Sequence, residues 1–129
     1  KQFSDAHTSN LTQATAAKYL GLGRLEGALA KVRATYAERA RVMGECLKRE
    51  LGDAIEFNAP HGGMFVWARL TGGRNANEFA QRAIEKLVAF VPGAPFYARD
   101  PDVSTLRLSF ATADLAKIEE GIGRLAKAL

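Results

Sequence analysis

Met64-Phe65-Val66-Trp67-Ala68-Arg69-Leu70 is the stretch on which the fold turns. Successive strand residues point to opposite faces, so Met64, Val66, Ala68 and Leu70 share one side and Phe65, Trp67 and Arg69 the other. Both sides carry apolar bulk, which predicts a strand inside a sheet rather than at its rim. Pro60-His61-Gly62-Gly63 precedes it as a backbone switch that relies on glycine's access to positive φ, and Thr71-Gly72-Gly73-Arg74-Asn75 follows as a turn.

Downstream, Phe79, Ala80, Ala83, Ile84 and Leu87 recur at helical spacing, behind Asn75 or Asn77 as cap. Val88-Ala89-Phe90-Val91 reads as the next strand, closed by Pro92-Gly93. The strand–helix–strand order from Met64 to Val91 predicts a right-handed crossover joining two parallel strands. A proline-pinned loop, Ala94 to Pro101, leads to a further strand, Thr105-Leu106-Arg107-Leu108-Ser109-Phe110. A last helix starts near Asp114 and aligns Leu115, Ile118, Ile122, Leu125 and Leu129.

Upstream, Ala54-Ile55-Glu56-Phe57 is a brief strand. Before it, Leu25, Leu29, Val32, Tyr36, Met43 and Leu47 mark one amphipathic helix from Leu25 to about Leu51, on the order of 40 Å long. Gly27 and Gly44 are points where it can bend. A shorter helix runs through Leu11, Ala14, Ala17 and Leu20, capped by Thr8, Ser9 or Asn10 and ended by Gly21 and Gly23. The sum is an α+β, two-layer domain: a small mixed sheet of three to four strands with helices on one face, plus a long connecting helix.

At 129 residues, 47% hydrophobic and 25% charged, the chain has the length and composition of one globular domain. It contains no apolar run of membrane-spanning length, and its first five residues lack a signal peptide's apolar core, so the expected location is the cytoplasm. Cys46, the single cysteine, falls in an apolar helical pattern and is expected as a buried filler. His7 and His61 show no metal-ligand spacing. A net charge of +4 is compatible with a solvated surface, a nucleic-acid face or an anionic small-molecule substrate.

Within the strand from Thr105 to Phe110, Leu106, Leu108 and Phe110 share one side while Arg107 stands with Thr105 and Ser109 on the other. A guanidinium on a stiff element is a planar, two-pronged donor suited to a carboxylate if it looks into a cleft. At a sheet edge the same arginine would only keep strands from pairing between molecules. The residues alone leave both roles open.

Four pieces stand in a familiar order: Pro60-x-Gly62-Gly63-Met64-Phe65-Val66-Trp67, Val91-Pro92-Gly93-x-x-Phe96-Tyr97, Leu106-Arg107-Leu108-Ser109-Phe110, and Glu120-Gly121-Ile122-x-Arg124-Leu125 in the last helix. This resembles the C-terminal part of fold-type I, class I/II pyridoxal-phosphate aminotransferases, in the branch of 2-aminoadipate, kynurenine and aromatic aminotransferases and the aminotransferase-like regulators. The resemblance implies that residues 25–129 are the small domain. Residues 1–24 would then belong to, or lean on, a large domain outside the chain. It also implies that Arg107 binds the substrate's α-carboxylate, that Gly62 and Gly63 let backbone approach the substrate pocket, and that Phe96 lines the side-chain pocket. Gly62 and Gly63 read equally well as a plain turn, and Phe96 as core. His7, Thr8, Ser9 and Asn10 resemble the segment that reaches the partner subunit's active site in a homodimer.

The family's lysine, which holds pyridoxal phosphate, has a serine-led setting. Lys18, Lys31, Lys48, Lys86, Lys117 and Lys127 instead sit in helical patterns, and Lys1 starts the chain. Pyridoxal 5'-phosphate is therefore expected in the full-length parent, with none covalently bound to this piece, which is expected to be inactive alone. The implied substrates are an amino acid and a 2-oxo acid. Two alternatives remain at this stage. An RNA-binding ferredoxin-like module is suggested by Phe65 and Trp67 sharing a strand face, and the chain could also be the effector domain of an aminotransferase-like transcriptional regulator.

Overall fold

The computed structural model describes residues 8–129. They form α1 (Asn10–Gly21), α2 (Leu25–Leu51), β1 (Ile55–Phe57), β2 (Phe65–Leu70), α3 (Ala76–Glu85), β3 (Val91–Pro92), β4 (Thr105–Ser109) and α4 (Leu115–Ala126), with single 3-10 turns at Gly52–Ala54 and Ala94–Phe96. Two compact units divide the chain inside α2, one ending at Ala34 and the other running Thr35–Leu129.

In the first unit α1 begins after Ser9, whose side chain makes no capping bond. Thr12 Oγ1 donates to the Ser9 carbonyl at 2.8 Å and Gln13 Nε2 to that of Thr8 at 2.9 Å. Gly23, at φ +65°, closes the helix by donating its N–H to the Leu20 carbonyl. No residue of α1 is buried, and Leu11 and Leu20 of its expected apolar stripe are exposed.

The second unit is organised by its sheet, whose strand order is β1-β2-β4-β3. β2 is interior as its two-sided apolar content predicts. Residues Val66, Ala68 and Leu70 are buried, alternating with exposed Phe65, Trp67 and Arg69. Ile55, Leu106 and Leu108 extend the buried side, and Val42, Met43, Cys46 and Leu47 of α2, Phe79 and Ala83 of α3, and Ile118, Ile122 and Leu125 of α4 complete that core. Within this unit α3, α4 and the part of α2 from Thr35 onward lie on one face of the sheet as expected, and Cys46 is the buried filler that its pattern predicts.

The expected mixed pairing is not found, because every neighbouring pair of strands is antiparallel. β2 and β3 do run the same way, but β4 lies between them, so the predicted strand–helix–strand unit has no direct pair. The reason lies in Val88-Ala89-Phe90. Val88 donates its N–H back to the Ala83 carbonyl at 3.0 Å, and Leu87 donates to that of Ile84 at 2.9 Å. These are the two bonds of a Schellman closure of α3. Val88 and Phe90 then pack against the core, Phe90 lying 5.3 Å from the Phe79 ring, and only Val91–Pro92 is left to pair along β4. An outer strand tolerates a proline's missing donor.

Leu87 occupies the left-handed position of that closure, at φ 61°, and is 79% exposed. It and Ile84 therefore lie outside the buried stripe in which they were expected. Glycine adopts this conformation without the Cβ clash, and an exposed leucine loses little packing on removal. Leu87→Gly is expected to stabilise the fold by about 0.5–1 kcal/mol, read as a higher urea midpoint at unchanged m-value.

Candidate functional site

β4 carries Arg107 between two strands. Trp67 of β2 is its partner on one side and Val91 of β3 on the other. An edge-guarding role is thereby excluded, since Arg107 is on an interior strand. The side chain points to the face that the helices leave open, is half-buried, and lies against two rings. Its Cζ is 4.2 Å from the centroid of Phe65 and 4.6 Å from that of Phe96. Trp67 packs edge-on against Phe96 at 5.7 Å and lies 6.3 Å from Tyr97.

The turn bearing Phe96 is fixed to β4 by a close backbone approach. Gly93 donates its N–H to the Thr105 carbonyl at 2.7 Å, and a Cβ on Gly93 would fall 2.2 Å from Thr105 Oγ1. Phe96 in turn donates its N–H to the Gly93 carbonyl at 2.9 Å. Thr105 is fully buried, and its hydroxyl donates to the Asp102 carbonyl at 2.7 Å. The Asp102 carboxylate accepts from the Ser104 hydroxyl at 2.5 Å and backbone N–H at 3.0 Å, and pairs with Arg69 at 2.9 Å. Beside Arg69 the open face is hollowed by a depression of about 290 Å³ lined by Glu56, Asn58, Trp67 and Thr105.

The donors of Ser104 hold the Asp102 carboxyl below its ordinary value of 3.8, Arg69 adding to the effect. A pKa lowered by folding gives stability that is present above the unfolded value and lost as pH falls through the folded one. The stability gap between the wild type and Asp102→Asn is therefore expected to be constant around neutral pH and to close below about pH 3.8, as measured by urea unfolding across that range.

Arg107 differs from the other half-buried arginines in having no hydrogen-bond or ion-pair partner among the described residues: Arg39 and Arg74 donate to the carbonyls of Ala111 and Thr71, and Arg124 pairs with Glu120. Arg41, Arg49, Arg69 and Arg124 each pair with a carboxylate, whereas no carboxylate among the described residues pairs with Arg107. Its Nε is sealed from solvent and meets no acceptor there. A half-buried, unpaired guanidinium is costly unless an anion completes it. The site is thus chemically suited to a small carboxylate presented on the open face.

Arg107 and Phe96 are brought together. Gly62 and Gly63 lie in the exposed bend that enters β2, two residues or more from Phe65. Gly63 has φ +77°, and a Cβ at either glycine would meet nothing within 4 Å. Thr8, Ser9 and Asn10 open α1 in the first unit, and His7 lies outside the described residues. Sequence reasoning missed Phe65 as a neighbour of Arg107, and Gly93 as the contact that seats the Phe96 turn. Among the described residues no cluster of metal-ligating side chains occurs, and no helix is long and apolar enough to cross a membrane.

The pattern of aminotransferase class I and II matches residues 2–125. The chain belongs to this family. Over 129 residues it is 44% identical to the 2-aminoadipate transaminase of Thermus thermophilus and 36% identical to aromatic-amino-acid aminotransferase 1 of Thermococcus litoralis. It covers 32% and 31% of those proteins, about a third of their length. The crystal structure of the alpha-aminoadipate aminotransferase of Thermus thermophilus, complexed with N-(5'-phosphopyridoxyl)-L-leucine, superposes with a TM-score of 0.91 at 42% identity. That superposition covers 99% of this chain and 33% of that one. In this class I and II aminotransferase chain, Phe65 and Trp67, which suggested base stacking, are already engaged by Arg107, Phe96 and Tyr97.

Proposed function

We propose that this chain is the substrate-gripping part of a pyridoxal-phosphate-dependent aminotransferase that moves an amino group between an amino acid and a 2-oxo acid. One observation carries the reading: Arg107 is held on an interior strand, between rings, with no carboxylate of its own among the described residues. Both substrates share an α-carboxylate, and a guanidinium fork binds a carboxylate through two parallel hydrogen bonds. Arg107 thereby fixes the substrate's Cα against the reacting group, converting binding into orientation.

Bound pyridoxal phosphate supplies the electron sink for such chemistry. The described lysines do not suit its covalent attachment. Lys18, Lys31, Lys48 and Lys117 lie on α1, α2 and α4, and Lys86 and Lys127 at helix ends, none on the strand face that bears Arg107. The proposal therefore places the cofactor and its lysine outside residues 8–129. In the same reading residues 1–24 associate with a large domain, residues 25–129 form the small one, and His7 to Asn10 reach the partner subunit's site in a homodimer. Gly62 and Gly63 admit the substrate past β2, and the protein works in the cytoplasm.

The test is whether the intact, cofactor-loaded protein demands a carboxylate. Its absorbance is expected to change on mixing with an amino acid at least about 10²-fold faster than with the amine that lacks only the α-carboxylate. That factor corresponds to about 2.7 kcal/mol for the charge-assisted bonds. Equal rates would remove the role assigned to Arg107.

A further inference from the structure

The open face supplies Arg107 with a ring from each side of its strand. β4 lies between β2 and β3. From β2, Phe65 stands diagonal to Arg107 on the same face, since Phe65 pairs with Ser109 while Arg107 pairs with Trp67. From the other side, Phe96 comes from the turn that follows β3. Cζ of Arg107 is 4.2 Å from one centroid and 4.6 Å from the other, closer than most cation–ring contacts need to be to attract. Trp67 backs the Phe96 ring at 5.7 Å, so the second wall is itself supported.

A guanidinium carries all its N–H bonds in its own plane, while a ring attracts it over the face. A ring attracts the cation without accepting its N–H bonds in the way a carboxylate does, so neither contact uses up the two-pronged rim. The two contacts also settle the long side chain into one arrangement before any ligand arrives, which removes an ordering cost from the binding step. Nε is buried without an acceptor, so at that atom the side chain is held by packing.

We propose that Phe65 is a positioning residue for Arg107. Together with Phe96 it holds the guanidinium over its ring, so that a substrate carboxylate meets a rim already aimed. The inference rests on the reading of Arg107 as the carboxylate-binding group and adds a residue whose effect passes through it. Phe65 is 38% exposed and outside the helix-covered core, so its ring is not required to complete the fold.

The experiment uses the cofactor-loaded aminotransferase that contains this chain, and compares Phe65→Leu, Phe65→Tyr and Arg107→Lys with the wild type. Phe65→Leu is expected to raise KM for amino acids about five- to tenfold with kcat within about twofold, as loss of one partly buried cation–ring contact implies. Its rate with the amine that lacks the α-carboxylate is expected to stay at the wild-type level. Phe65→Tyr keeps the ring and is expected to restore KM. A KM in Phe65→Leu within twofold of wild type, a Tyr variant as impaired as the Leu variant, or an equal slowing of the amine would each overturn the proposal. An Arg107→Lys variant with unchanged KM would instead overturn the reading beneath it, whatever Phe65 does. Should Phe65→Leu not accumulate as folded protein, Phe65→Met carries the same comparison.

Discussion

Arg107→Lys is expected to lower kcat/KM for amino acid substrates by about 10- to 10²-fold, mostly through KM, because a lysine offers a point charge where the fork offers two aligned donors. Arg107→Ala should cost more, roughly 10²- to 10³-fold, since truncating one partner of a desolvated ion pair leaves the other buried without its charge. The lysine side chain is also a poor substitute in its setting. The planar group now lying 4.2 Å from Phe65 and 4.6 Å from Phe96 would be replaced by a compact ammonium that prefers water. Steady-state kinetics against a series of amino acids checks this, with the carboxylate-free amine as the internal control. Both variants should react with that amine about as well as the wild type. A loss shared by amino acid and amine would mean that Arg107 supports the fold and not the ligand. Thermal melts separate that case, because Arg107 makes no ion pair with the described residues and its lysine variant should melt within a few degrees of wild type.

How far the sequence reaches differs from one feature to the next. Alternation in Phe65–Leu70 was enough to put Val66, Ala68 and Leu70 on one face whatever the topology, but with apolar bulk on both faces it did not say which of the two the helices cover. The same rule set Arg107 apart from Leu106 and Leu108. What alternation does not carry is the identity of the neighbouring strand. The pairing of Trp67 with Arg107 depends on β4 entering between β2 and β3, and nothing local to Met64–Val91 announces that insertion. The strand expected at Val88–Val91 begins only at Val91, for a related reason. Its apolar residues suit a strand or a core-packing turn equally well, and the decisive bond from Val88 to Ala83 required a leucine to take the left-handed position that glycine usually fills. The half of α2 in the first unit shows the other limit. Leu25, Leu29 and Val32 continue the same apolar spacing as Met43 and Leu47, but periodicity identifies a face without saying what covers it.

Gly93 is where these threads meet, and Gly93→Ala is expected to destabilise the second unit by about 2–3 kcal/mol, the upper range for overpacking a tight site. Backbone conformation is not the cause. Gly93 has φ −80° and ψ −25°, which alanine adopts freely, unlike Gly63 at φ +77°, where space is open and only the conformation resists a side chain. The added methyl at Gly93 would instead lie 2.2 Å from Thr105 Oγ1, 2.8 Å from its Cβ and 3.0 Å from its carbonyl carbon. Thr105 has nowhere to retreat, being fully buried with its hydroxyl bonded to the Asp102 carbonyl. The strain must therefore open the bond from Gly93 to the Thr105 carbonyl and lift the turn that carries Phe96 away from Arg107. A loss of that size corresponds to a fall in Tm of roughly 6–12 °C for a chain of this length, accompanied in the intact protein by a raised KM for amino acids. Because the clash has a named partner, it can be tested by coupling. Thr105→Ala removes the nearest atom, so the double variant should be more stable than the sum of the two single losses by about 1 kcal/mol or more. Additive losses would mean that the methyl is accommodated by some other movement, and that the turn bearing Phe96 is not seated on β4 through this contact.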